Sequence, residues 1–229
     1  MKLLLSTIRK KWPEYILEVI VLIIGIYGAF ALERWNENKN TKAFEHSTLQ
    51  QILVNLKSDR DNLIAIQTHN LRAIYSTKRI LALDQSTPEM DSLKFWLGDV
   101  AQFDRFQPLT NAYEVLKARG LDVLTNQELA YQIGKYYDDD AQKIVKTIGD
   151  IELAFNTEWE PLLRNYGVDF QWKKLVILSD WNLLFNNGTA RKIIILNKDN
   201  YSSGTESLIK VLNSLDALIT AVEFELKEE

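Results

Sequence analysis

Residues 15–32 read YILEVIVLIIGIYGAFAL, an apolar run with a single charged side chain, that of Glu18. As an α-helix this run is about 27 Å long, close to the roughly 30 Å hydrocarbon core of a bilayer. Trp12 and Trp35 flank it about 34 Å apart along a helix, which is typical of aromatic anchors at the two interfaces of a membrane. The sequence therefore predicts a transmembrane helix over residues 14–35.

The charges on the two sides of the apolar run predict its orientation. Residues 1–13 contain four basic side chains and no acidic one, whereas residues 33–229 contain 29 acidic and 23 basic residues, a formal charge of −6. Because basic flanks stay in the cytoplasm, we expect residues 1–13 to form a cytoplasmic tail. Residues 36–229 are then predicted to form an extracytoplasmic domain, and the absence of a second long apolar run predicts a single-pass protein.

The alternative to an anchor is a cleaved signal peptide. Ala29-Phe30-Ala31 has the Ala-x-Ala form of a cleavage site and follows an apolar run. Two features oppose this alternative: Glu14 and Glu18 are acidic where a signal peptide is usually basic or apolar, and no polar segment precedes the site. We favour an uncleaved anchor, and the mass of the mature chain distinguishes the two.

Three small residues and one acid are the candidate functional side chains of the predicted membrane helix. Gly25 and Ala29 are four residues apart on one helix face and Gly28 adjoins them, a spacing that lets two membrane helices approach closely. A carboxylate within hydrocarbon is costly and often functional. Glu18 is only three residues into the apolar run, so the sequence leaves open an interfacial role, pairing with a partner, and ion translocation.

Two short stretches carry a family resemblance. The predicted membrane helix has an acid, a central glycine and a Trp-Asn-Glu end, at Glu18, Ile24-Gly25-Ile26, Ala29 and Trp35-Asn36-Glu37. Further along, the sequence AYEVLK at 112–117 is followed by Gly120. Together they resemble a family of bacterial single-pass membrane proteins known only as a domain of unknown function, although Glu33-Arg34 replaces the polar amides of that family. The resemblance implies an uncleaved anchor in the bacterial inner membrane with the C-terminal domain in the periplasm, and it implies no activity.

The predicted extracytoplasmic domain has the pattern of an all-α protein. No glycine or proline occurs between Gly28 and Pro88, so we expect the membrane helix to continue as a long stalk helix, with a break at the polar residues 36–40. Apolar residues recur at helical spacing in the stalk and near the C-terminus, at Leu49, Leu53, Leu56, Leu63, Leu71, Ile74 and Leu81, and at Leu208, Leu212, Leu215, Ile219, Val222 and Leu226. Long amphipathic helices at both ends of the domain predict an antiparallel helical bundle, with two short strands as an option between them.

Helix start and stop signals predict shorter helices in the middle of the domain. After a turn at 84–87, Ser86 and Glu89 fit a capping box for a helix over 88–99. Thr110 is a candidate N-cap for a helix over 111–119, and Gly120 fits its C-terminal end.

A further helix is predicted to start at Thr125 or Asn126 and to kink or restart near Pro161. The apolar runs 175–178 and 193–196 fit either two strands or buried helix, and we favour helix from their context.

The sequence offers little support for catalysis or a cofactor. It contains no cysteine and no P-loop, GxGxxG, GxSxG or HExxH motif. The net charge of −4 argues against nucleic-acid binding. His46 and His69, and the acids Asp59, Asp61 and Asp138–Asp140, are expected at the surface. Trp96, Trp159, Trp172 and Trp181 are expected in the core or at an interface. We therefore predict a non-enzymatic protein without a metal or cofactor.

This layout favours a membrane-anchored scaffold or accessory subunit. Residues 1–13 are too few for an effector domain, so we expect partner proteins, or a second copy, to bind the membrane helix and the domain outside it. Three alternatives stay open. These are an accessory subunit of an ion-driven transport or motor complex that uses Glu18, a sensor with a small molecule between its helices, and a hydrolase whose carboxylate pair forms on folding.

Overall fold

The computed structural model describes residues 2–83 and 90–228, and helix makes up 84% of it, which confirms the predicted all-α class. The chain divides into two compact units, Met1–Ser47 and Thr48–Glu229, and helix α1 (Lys2–Ala82) contributes to both. Residues 36–40 are helical, so the predicted break there is wrong. Relative to alanine, each polar residue of this stretch lowers the stability of a helix by at most roughly 0.7 kcal/mol, which is too little to interrupt a long helix.

The second unit is built from the part of α1 that follows Ser47, from the helices after α1, and from one β-hairpin. Its α-helices after α1 are α2 (Met90–Val100), α3 (Asn111–Arg119), α4 (Gln127–Lys135), α5 (Ala141–Ala154), α6 (Glu160–Tyr166) and α7 (Thr189–Glu228). The π-helical turns Tyr136–Asp140 and Phe155–Trp159 join α4 to α5 and α5 to α6, and 3₁₀ turns occupy Leu121–Val123 and Trp181–Leu184. Strands β1 (Gly167–Gln171) and β2 (Leu175–Leu178) form an antiparallel pair in which Phe170 faces Val176.

Several predicted helix ends are confirmed. Helix α3 spans the predicted residues and ends at Gly120, whose φ of 103° is a conformation that favours glycine. Asn126 caps α4 by accepting a hydrogen bond from the Leu129 N–H at 3.1 Å. Thr110 stands at the N-cap of α3 without a side-chain capping bond. The predicted turn at 84–87 and the capping box of Ser86 and Glu89 lie outside the described residues.

The restart near Pro161 is also confirmed. Helix α6 begins at Glu160 with Pro161 in its first turn, directly after the π-helical turn Phe155–Trp159. Proline has no N–H to donate and its ring crowds the carbonyl one turn earlier. A widened turn at this point accommodates both effects without ending the helical path.

One of the two ambiguous apolar runs is a strand. Residues 193–196 are helical within α7, as we favoured, but residues 175–178 form β2, so the helix prediction there is wrong. Residues 175–178 pair with β1, and Gly98 permits their close packing on α2, because a Cβ on this residue would lie 2.6 Å from the Lys174 carbonyl. Glycine in α2 thus lets β2 lie directly against that helix, and Val176 and Leu178 are buried there.

The hydrophobic core joins α1, α2, the α5–α6 region, β2 and α7. Its largest member is Trp159, which is 2% exposed, and its polar member Tyr201 donates a hydrogen bond to the Val100 carbonyl at 2.8 Å. The predicted stripe of α7 is buried from Leu208 to Val222 and packs against α4 and α5. The helices pack against one another and bury one face of the part of α1 that follows Ser47.

Candidate functional site

The first unit presents an apolar helix surface. Among the described residues, one helical segment, Ile16–Ala82, is long and apolar enough to cross a membrane, judged by length and composition. Its most apolar window is wholly exposed, and every side chain from Ile16 to Asn40 is exposed to solvent. An uncovered apolar surface of this length is stable only in a non-aqueous environment or beneath a partner.

The predicted packing residues lie on this bare surface. A Cβ built on Gly25 or Gly28 meets nothing within 4 Å, and Ala29 is exposed beside them. Because an α-helix turns by about 100° per residue, these three residues lie on one side of the helix. The resulting shallow strip has room for the backbone of a second helix.

The acid and the aromatic residues of the same helix are exposed as well. Glu18 projects from the first turns of the apolar run, and Trp12 and Trp35 stand beyond its two ends. The Lys39 ammonium lies 5.8 Å from the centre of the Trp35 ring. A tryptophan beside a lysine is the pairing expected where a helix enters a headgroup layer.

In the second unit, Asp59 is fully buried, so the prediction that it is a surface acid is wrong. Its Oδ2 accepts a hydrogen bond from the Tyr136 hydroxyl at 2.8 Å, and its Oδ1 accepts one from the Leu109 N–H at 3.1 Å. Burial raises the pKa of this carboxyl above its ordinary value, and the two donors oppose that shift only in part. The carboxylate ties α1 to the loop before α3 and to the π-helical turn.

Tyrosine side chains pack beside Asp59, and one of them, Tyr113, belongs to the AYEVLK stretch that carries the family resemblance. The Tyr113 and Tyr137 rings stack with their centres 4.6 Å apart. The Tyr113 hydroxyl donates to Asp138 Oδ2 at 2.7 Å, and the Lys117 Nζ lies 2.8 Å from Asp138 Oδ1. These bonds lower the pKa of the Asp138 carboxyl, and the bond from Lys117 contributes more than the bond from Tyr113. Tyr113 and Lys117 of the AYEVLK stretch therefore clamp α3 to the π-helical turn after α4, which is a structural role.

The buried carboxylate predicts a pH dependence of stability. Because the pKa of Asp59 is raised on folding, the folded state binds a proton more tightly than the unfolded state, so this group favours folding more as pH falls. Asp59→Asn has no such titration. We expect the melting temperature of the wild-type chain to rise relative to Asp59→Asn as the pH falls from 7 to roughly 3.9, the ordinary pKa of an aspartate, measured by circular dichroism in detergent. A difference that stays constant, or that changes in the opposite sense, would contradict the raised pKa.

His69 is part of a polar cluster rather than a free surface residue. Its Nδ1 lies 2.9 Å from Asp104 Oδ2, and Lys173 forms an ion pair with the same carboxylate. Lys173, with a φ of 57°, lies in the tight turn between β1 and β2. Its ion pair holds that turn against the loop after α2, and His69 of α1 contacts the same carboxylate. Within the described residues, no group of three His, Asp or Glu side chains is arranged to hold a metal ion.

A groove runs between α1 and α2. It has a volume of about 530 Å³ and is walled by Leu71 and Tyr75 of α1 and by Phe95 and Trp96 of α2. Leu71, Tyr75 and Phe95 are 52%, 59% and 49% exposed, so three large apolar side chains face solvent in one place. Exposed aromatic residues grouped at a concave surface are typical of protein interfaces.

The long apolar helix is evident in the sequence, whereas the burial of Asp59 and the groove are not. Asp59 stands between polar residues in the sequence, and nothing local distinguishes it from Asp61. The apolar spacing of α1 places Leu71 with the residues that face the core, yet Leu71 is exposed, whereas Ala73 and Ile80 are buried. Comparison of the chain with protein-family models, curated proteins and solved structures found no match.

Proposed function

We propose that this chain is a membrane-anchored, non-enzymatic scaffold or accessory subunit that binds partner proteins through its membrane helix and its helical domain. The observation that carries the proposal is the fully exposed apolar surface of α1 around Gly25. Lipid covers the bulky sides of such a helix, whereas small residues allow a partner helix to approach within van der Waals contact of the backbone.

The charge distribution supports an assignment of location. Four basic residues precede the apolar run, and residues 33–229 carry a formal charge of −6, so we place the N-terminus in the cytoplasm. The helical domain then lies outside the cytoplasm. The resemblance to bacterial single-pass proteins supports the inner membrane and the periplasm as the two locations.

The domain surface supports partner binding as well. Aromatic and apolar side chains are exposed in the groove between α1 and α2 and along β1, where Val168 is exposed. Trp172, just beyond β1, packs its ring against Phe103 with their centres 4.9 Å apart, yet it remains 43% exposed. Tyrosine, tryptophan and phenylalanine are enriched at protein interfaces relative to the rest of the surface.

A substitution in the small-residue strip tests the proposal. Gly25→Leu fills the strip with a branched side chain, so we expect the amount of partner protein that co-purifies with the tagged full-length chain to fall roughly tenfold, the equivalent of about 1.4 kcal/mol. Quantitative mass spectrometry of the material retained in mild detergent measures it.

The matched control is Ile23→Phe, which adds bulk on the opposite side of the same helix. It should leave recovery of the partner unchanged, and both variants should reach the membrane in equal amounts. Equal recovery with Gly25→Leu and Ile23→Phe would show that the strip does not contact a partner.

A further inference from the structure

The turn that precedes helix α7 contains an asparagine followed by a glycine. Asn187 and Gly188 belong to residues 185–188, which lie between the 3₁₀ turn Trp181–Leu184 and α7 and are in neither helix nor strand. Asn187 is exposed, and the residue before it, Asn186, has a φ of 49°. An exposed turn opens at a low cost in free energy, because few buried contacts hold it. The backbone here is therefore accessible to chemistry that regular secondary structure suppresses.

The surroundings of Asn187 differ from those of a nearby asparagine. Asn187 is the asparagine of the sequence that is followed by glycine, which has no side chain to shield its backbone nitrogen. Its own amide makes no hydrogen bond to any residue that the structure describes. Asn182, in contrast, donates from its amide to Asp180 Oδ1 at 2.9 Å and is followed by Leu183. Of these two amides, that of Asn187 is the one free to meet the next backbone nitrogen.

One hydrogen bond restrains that nitrogen. The Gly188 N–H donates to the Phe185 carbonyl at 2.9 Å. This bond closes a short exposed turn, so it breaks when the turn opens locally and the core stays intact. Gly188 itself is unsuitable for substitution, since a Cβ there would overlap the Leu183 carbonyl. A variant that tests the reaction is therefore made at Asn187.

We propose that Asn187 is a site of spontaneous deamidation. The Gly188 backbone nitrogen gives its proton to solvent and attacks the Asn187 Cγ, so a carbon–nitrogen bond forms and the side-chain nitrogen leaves as ammonia. The product is a five-membered succinimide. Water adds to its Cγ carbonyl to give aspartate, or to the main-chain carbonyl carbon of Asn187 to give isoaspartate. The reaction consumes one water molecule and transfers no electrons to or from an external reagent.

Both products change the start of α7. The Gly188 carbonyl accepts a helix hydrogen bond from the Lys192 N–H at 3.2 Å, and the Arg191 side chain donates to the Leu81 carbonyl of α1 at 3.0 Å. Aspartate adds a negative charge just before the helix N-terminus, where the helix dipole favours it. Isoaspartate adds one atom to the backbone before Gly188, so it alters the chain path into the helix that Arg191 ties to α1.

Peptide mass spectrometry of the aged full-length chain tests the inference. The chain is purified in mild detergent, incubated for several days in mildly alkaline buffer and digested with trypsin. Cleavage after Lys174 and Arg191 gives one peptide, residues 175–191, that contains Asn182, Asn186 and Asn187, so two internal controls accompany the site. A sample digested without incubation corrects for deamidation during digestion. Isoaspartate is measured separately by methyl transfer from labelled S-adenosylmethionine with a protein isoaspartate methyltransferase.

The matched control chain carries Asn187→Gln. Glutamine keeps the amide, but its longer side chain must close a six-membered ring, which forms far more slowly. We expect Asn187 to deamidate roughly ten times faster than Asn182 or Asn186, a barrier lower by about 1.4 kcal/mol. We also expect the age-dependent methyl transfer to wild type to be largely lost in Asn187→Gln. An Asn187 that keeps its amide, equal rates at the three asparagines, or equal methyl transfer to the two chains would overturn the inference.

Discussion

Replacing Asp59 by alanine is expected to lower the free energy of unfolding by roughly 3 kcal/mol, the largest effect of any polar substitution considered for this chain. The change leaves two donors, the Tyr136 hydroxyl and the Leu109 N–H, without their acceptor in a buried place. It also opens a small cavity beneath them. In a unit of this size the loss corresponds to a melting temperature about 6–12 °C lower, which circular dichroism of the full-length chain in detergent measures.

Two control variants separate burial from charge. Asp61→Ala removes an acid whose side chain is 78% exposed, and it should change the free energy of unfolding by less than about 0.5 kcal/mol. Asp59→Asn keeps the size of the side chain and one acceptor oxygen, so it should cost less than Asp59→Ala. If Asp59→Ala and Asp61→Ala melt at the same temperature, Asp59 does not hold these elements together.

Replacing Gly98 by alanine is expected to cost about 2 kcal/mol, although alanine is the better helix former. The added methyl group would lie 2.6 Å from the backbone of Lys174 and Leu175, which cannot rotate away as a side chain could. The hairpin must therefore move off α2, and the buried residues Val176 and Leu178 lose part of their packing. Thermal unfolding in detergent measures the loss of stability, and hydrogen exchange of the hairpin amides localises it.

Gly149→Ala is the matched control for this substitution. Gly149 is also helical, but a Cβ there meets nothing within 4 Å, so the same change should stabilise α5 by roughly 0.5–1 kcal/mol. Opposite signs at Gly98 and Gly149 would confirm that close approach of the hairpin, and not helix propensity, determines the result. A stabilising Gly98→Ala would contradict the contact between α2 and β2.

Local sequence signals predicted the features of the fold that depend on short-range physics. The apolar run of 15–32 and the buried stripe of α7 follow from side-chain periodicity. The end of α3 at Gly120 and the cap at Asn126 follow from the hydrogen bonds that helix ends leave unsatisfied. Each of these depends on residues within a few positions of one another.

The errors concern features that only tertiary packing decides. Residues 175–178 have no helical or strand period of their own; they pair with β1 and lie against α2 at Gly98, far away in the sequence, where a side chain would clash with them. Asp59 has the local sequence of a surface acid, but the packed elements bury it, and Tyr136, 77 residues later, donates a hydrogen bond to it. Leu71 fits the apolar stripe of α1 and is exposed because the groove leaves that part of α1 uncovered.

The most direct test of a membrane-anchored binding protein is purification of the tagged full-length chain from its native membranes in mild detergent. Mass spectrometry of the retained material identifies any partner, and the intact mass shows whether residues 1–31 are present. The proposed function predicts an uncleaved chain together with a membrane protein in stoichiometric amount. A chain cleaved after Ala31, or an intact chain that purifies alone, would contradict it.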